Sequence, residues 1–154
     1  MLFDMRLVIQ RVTDASVSVG GKTVSSISHG LFILVGVERG DTAEDVRWLS
    51  SKVAGMRIFN DVEGVMNRNV AEVEGGILAV SQFTLTASTR KGNRPSYIRA
   101  AGHELAVPMY DGFCRMLGDA TGHPVLKGVF GADMKCSLTN DGPVTIVIDS
   151  RLRE

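Results

Sequence analysis

The sequence holds few cysteines, few aromatic residues, no excess of either charge and no long apolar run. Its two cysteines, Cys114 and Cys136, form no CxxC pair. That excludes a disulfide scaffold and leaves free thiols in a reducing compartment as the simpler reading. Lys+Arg and Asp+Glu are both 17, so the formal net charge is zero. A balanced chain has no broad phosphate-binding surface, although a local basic patch remains open to it. No apolar run reaches the ~18 residues that a membrane span needs. The start, Met1-Leu2-Phe3-Asp4, lacks the basic opening and apolar core of a signal peptide, so a cytoplasmic protein is expected. The three histidines, His29, His103 and His123, show no ligand spacing, and no metal or cofactor is expected.

What is present is ordinary for a globular protein: 154 residues, 44% hydrophobic and 22% charged. One domain over residues 1–154 suffices, with 1–4 as extra N-terminal residues and 151–154 as a solvated tail. Arg6 to Val12 is β-branched and reads as a strand, and Ala15 to Ile27 as a hairpin turning at Gly20-Gly21. Leu31 to Val37 is continuously apolar, which fits a central strand buried on both faces.

The period then changes. Asp41 and Glu44 have capping-box spacing, and Val46, Leu49, Val53 and Met56 follow at helical spacing over 42–55, with Trp48 beside the stripe as a core residue. Val107 to Leu117 reads as a second helix with Pro108 in its first turn. Asn60 to Asn69 looks like a polar loop; Val125 to Phe130, Met134 to Leu138 and Val144 to Ile148 close the chain as strands. Strands that do not alternate with helices disfavour a doubly wound fold. The expectation is a strand-rich, mixed α/β chain: a curved mixed or antiparallel sheet, or half-barrel, with two main helices on one side.

The stretch most suited to chemistry is Gly75 to Thr86. A glycine turn leads into an apolar strand whose end, Ser81-Gln82-Phe83-Thr84-Leu85, turns polar. A buried strand holds its last residues rigidly, and backbone N–H groups near Phe83 are potential oxyanion donors. Just beyond, Ala87 to Ser96 carries Arg90, Lys91 and Arg94, either as a solvated loop or as a phosphate contact.

Together with Asn140-Asp141-Gly142-Pro143-Val144-Thr145, the Ser81–Leu85 segment resembles the two signature motifs of the D-aminoacyl-tRNA deacylases. Ile9-Gln10-Arg11-Val12, Gly92 to Ser96 and Ala132-Asp133-Met134 are similar to that family too, and the likeness runs from Met5 to about Ser150. The resemblance implies a deacylase-like fold and a homodimer in which Gly142-Pro143, joined by a cis bond, enters the partner's active site. It implies an aminoacyl-tRNA substrate, hydrolysed at the ester of a D-amino acid, and of glycine, as chiral proofreading. Ser81, Gln82, Phe83 and Thr84 would be the catalytic set. Gly142 and Pro143 would bind substrate, with Arg90, Lys91 and Arg94, and Arg11 as a further candidate, on the phosphates. Thr84 as nucleophile and a water assisted by the terminal 2′-hydroxyl both remain open. A non-catalytic RNA-binding module is the reading from another class, though no RRM aromatics or KH clamp support it.

Overall fold

The computed structural model describes residues 5–153, so the expectation for residues 1–4 falls outside it. The organising element is β1, Arg6–Val19, which pairs on both sides from end to end, with interruptions near Arg11 and Thr13. On one side its first half meets β3 (Gly30–Gly36) and its second half β2 (Lys22–Ile27), both antiparallel. On the other side lies β8, Met134–Asp149, also antiparallel. β6 (Gly76–Ser81) runs parallel to β3, and β7 (Leu126–Lys127) parallel to β6. The result is the mixed, curved and nearly closed sheet expected from the pattern. A short hairpin, β4 (Phe59–Asn60) with β5 (Met66–Arg68), gives partial order to the polar loop.

Alternation on the central strands splits the core in two. Leu7, Ile9, Leu31, Ile33, Ile77 and Ala79 face the helices, where Leu49, Val53, Phe113 and Leu117 meet them. Phe32, Leu78 and Val80 point to the opposite face and pack with Val12, Ala15 and Val17. β3 is thus buried on both faces, as its continuous apolar run requires.

Helix α1 is Ala43–Gly55 and helix α2 His103–Thr121. The α1 cap differs from expectation by one residue. Thr42 is the N-cap, and its N–H donates to the Asp45 carboxylate at 2.7 Å. Asp41 instead turns inward and accepts from the Glu38 N–H at 2.7 Å. Helix α2 begins earlier than expected, with Gly102 as its cap, which moves Pro108 from the first turn to the helix interior. Of the tail, Arg151 is not solvated: it donates to the Gly40 carbonyl at 2.6 Å and pairs with Asp45 at 3.2 Å. Arg153 lies over the Trp48 ring.

Burial pushes the Asp41 carboxyl up to about 7, against the Glu38 N–H, and the Asp45 charge adds to the rise. Asp45 is also desolvated, yet hydrogen bonds from Arg151 and Thr42 hold it below the usual carboxylate range. A raised carboxyl binds its proton more tightly in the folded state, so its stabilising contribution is complete below pH 4 and lost as pH rises through 7. Asp41→Asn is therefore expected to raise the Tm relative to wild type at pH 8.5, with the gain shrinking toward pH 5. A thermal melt series checks this, and a pH-independent difference would contradict it.

Candidate active site

The strand β6 stops at Ser81, short of the Leu85 end expected for it, and Phe83–Thr86 winds into a single 3-10 turn. Local hydrogen bonding explains the change. The Leu85 N–H donates to the Gln82 carbonyl at 3.3 Å and the Thr86 hydroxyl to the Phe83 carbonyl at 2.8 Å. Two arginines then hold the end of the turn: Arg6 donates to the Leu85 carbonyl at 2.9 Å and Arg99 to that of Thr86 at 3.1 Å. Neither arginine could be assigned this job from sequence, since both partners are backbone atoms.

Turn geometry leaves its first N–H groups without intrahelical acceptors. Those of Phe83 and Thr84 donate to no described residue. Phe83 lines a cleft of about 530 Å³, with Val35, Val37, Ala106, Tyr110, Phe130 and Met134 on its apolar side and Ser81 and Gln82 on its polar side; Thr84, the next residue, is not among its lining residues. Tyr110 is fixed by donating to the Ala79 carbonyl at 2.7 Å.

The side chains at the cleft offer no activated nucleophile. The Gln82 amide donates to the Thr84 hydroxyl oxygen, and an amide cannot take the proton a nucleophile must lose. His103 lines the cleft, which sequence spacing did not reveal, but its ring meets the edge of Phe130 at 5.2 Å and it makes no hydrogen bond to Ser81 or Thr84. Among the described residues there is thus no Ser-His-Asp arrangement. Cys114 is buried and Cys136 exposed at the cleft lining, both free, and burial raises both thiols. No three-residue His/Cys/Asp/Glu cluster fit for a metal occurs among the described residues.

The second motif sits elsewhere on the sheet. Two strands were expected here; one long strand is found, interrupted by a bulge. Gln10 pairs with Thr145 and Val12 with Asn140, so Asp141 to Val144 stand out opposite Arg11 alone. The Gly142–Pro143 bond is cis. Asn140 closes the neck of the bulge, its side-chain oxygen accepting from the Val144 N–H at 2.7 Å.

Arg11, the candidate phosphate contact, is only 7% exposed. Its guanidinium donates to the Asp141 carbonyl at 3.0 Å and the Ile58 carbonyl at 2.8 Å, so it props up the bulge from within. Arg90, Lys91 and Arg94 are exposed, in a loop closed by mutual Ser88–Ser96 hydrogen bonds of 2.8 Å. Among the described residues no hydrogen bond or ion pair joins the bulge to the Phe83 turn within one chain. Along the sheet β1 and β3 lie between their strands, a path of about 14 Å at ~4.8 Å per strand, while the start of β8, at Met134 and Cys136, lines the cleft itself.

A family model described as D-Tyr-tRNA(Tyr) deacylase matches residues 8–149. The chain belongs to the D-aminoacyl-tRNA deacylase family. The D-aminoacyl-tRNA deacylase of Akkermansia muciniphila is 59% identical over 150 residues, covering 97% of this chain and 100% of that protein. That of Parabacteroides distasonis is 56% identical with the same coverage. Among solved structures, c-Myc DNA Unwinding Element Binding Protein superposes with a TM-score of 0.87 at 37% identity, covering 94% of this chain and 97% of that one. A probable eukaryotic D-amino acid tRNA deacylase shares the fold, with a TM-score of 0.81 at 20% identity. The deacylases are hydrolases, so the chain belongs to an enzyme family.

Proposed function

We propose that the protein hydrolyses the ester joining a D-amino acid to the 3′-terminal adenosine of tRNA, as chiral proofreading in the cytoplasm. The observation that carries the reading is the Phe83–Thr84 turn, whose two N–H groups have no acceptor among the described residues and whose first residue lines an apolar cleft in a chain of the deacylase family. Ester hydrolysis builds negative charge on the carbonyl oxygen, and donors fixed at a strand end stabilise it without reorganising. Water adds to the carbonyl carbon, the bond to the 3′-oxygen breaks, and that oxygen leaves with a proton. With no base hydrogen-bonded to Thr84 among the described residues, the terminal 2′-hydroxyl of the substrate orients the water. Ser81 and Gln82 hold the turn and the cleft wall. Purified protein is expected to release free D-tyrosine from D-Tyr-tRNA at a rate proportional to enzyme; binding without release would favour an RNA-binding module instead.

Thr84 then has a supporting role. Thr84→Ala is expected to lower kcat by less than about 10-fold, whereas removing a true nucleophile costs factors near 10⁶. Single-turnover hydrolysis of D-Tyr-tRNA decides between them.

The separation of bulge and turn within one chain supports a homodimer in which Gly142 and Pro143 of one subunit reach the cleft of the other. Their carbonyls would hold the substrate's amino group, leaving an L side chain directed into the pocket wall. Glycine offers no side chain to reject, so glycyl-tRNA is a substrate as well. Arg90, Lys91 and Arg94 face the tRNA phosphates, and a triple Ala variant is expected to flatten the slope of log affinity against log salt by about 2. An unchanged slope would remove the loop from the interface.

A further inference from the structure

We propose that Phe83 and Tyr97 form a stacking platform for the unpaired nucleotides that precede the terminal adenosine of the substrate, a single-stranded RNA subsite outside the cleft. The proposal rests on the deacylase reading and extends it along the RNA. Phe83 and Tyr97 meet edge to face, ring centroids 5.1 Å apart at 75°. That geometry uses the edge of one ring and the face of the other, so a further flat face stays open. Within one subunit both rings are exposed, at 57% and 41%, and the neighbouring Ile98 is 68% exposed. Neither ring is part of either core cluster, so core packing does not account for them.

Their setting selects the occupant. Phe83 opens the turn that borders the cleft, and Tyr97 closes the loop carrying Arg90, Lys91 and Arg94. None of these three cations has a hydrogen bond or ion pair with a described residue. An RNA strand leaving the cleft crosses the ring pair first and the cations next. Flat apolar faces beside unpaired cations are the chemistry that holds single-stranded nucleic acid, one base per ring with phosphates on the basic side chains. An apolar protein partner would cover the rings but leave three like charges facing it uncompensated. Because every base has a π-face, the platform is indifferent to base sequence.

The test compares D-Tyr-tRNA with D-tyrosyl-adenosine, which ends where the platform begins. Tyr97→Ala is expected to raise KM for D-Tyr-tRNA about 10-fold, within the range for loss of one stacked base, with kcat unchanged. Hydrolysis of D-tyrosyl-adenosine should be unaffected, and Tyr97→Trp should restore the tRNA KM. Equal losses on both substrates would mean that Tyr97 only shapes the cleft through Phe83, and no loss on either would remove it from the RNA path; both overturn the proposal. If wild type hydrolyses neither substrate, the deacylase reading itself fails. Binding of an uncharged oligoribonucleotide ending in CCA at low salt then still reads the platform: a roughly 10-fold weaker Kd for Tyr97→Ala supports it and an equal Kd refutes it.

Discussion

Replacing Gly142 with alanine is expected to lower kcat/KM for D-aminoacyl-tRNA by at least about 100-fold while the protein stays folded. A Cβ at this position would lie 2.8 Å from the Val144 side chain and 3.1 Å from the Arg11 guanidinium, on a backbone with φ of +134°. Arg11 cannot yield, because the Asp141 and Ile58 carbonyls hold it. The bulge must move instead, and a displacement of about 1 Å at a substrate-positioning element is enough for a 10²-fold loss. The bulge is exposed, so the stability loss stays within about 1–3 kcal/mol. Mixed dimers extend the test. Co-expressing Gly142→Ala with a subunit whose cleft is blocked by Ala132→Trp should regain one working site, if Gly142 acts on the partner's cleft. Activity no higher than the sum of the two parents would place Gly142 on its own subunit or remove it from the reaction.

Gly30→Ala is expected to cost more than about 3 kcal/mol of stability or to prevent folding altogether. The added Cβ would stand 1.9 Å from the Gly76 carbonyl oxygen and under 3 Å from its nitrogen, a clash with backbone that no rotamer relieves. Gly30 and Gly76 are the first pair of the parallel β3–β6 ladder, and β6 is the strand that delivers Ser81 and the Phe83 turn. Urea unfolding measures the effect as a fall in midpoint. Gly55→Ala serves as the control, since nothing lies within 4 Å of a Cβ there and helix propensity favours alanine. A Gly30→Ala protein as stable as wild type would show that the two strands separate freely at this end.

The sequence made the periodic parts of this fold legible and left the long-range polar contacts hidden. The β3 run and the α1 stripe declare themselves because their partners are the generic apolar interior. The Arg11 support of the bulge spans 130 residues, and the Arg6 support of the turn spans 79; no local pattern encodes either. Sequence makes Arg11 a further candidate for the phosphates, yet its guanidinium is an interior prop. The turn at Phe83 was hidden for the opposite reason. Its residues carry no helix signal, and side-chain donors from elsewhere in the fold satisfy the carbonyls that a continuing strand would have paired. The bulge at Gly142 was read as a gap between two strands, whereas pairing with β1 on both sides keeps it part of one.

The central claim is that backbone donors and a glycine–proline wall, with no side-chain nucleophile, give ester hydrolysis that excludes L-amino acids. Parallel single-turnover assays of D-Tyr-tRNA and L-Tyr-tRNA test it most directly. The account predicts rapid release of D-tyrosine and no enzyme-dependent release of L-tyrosine. Equal turnover of both, or of neither by a folded protein, would contradict it.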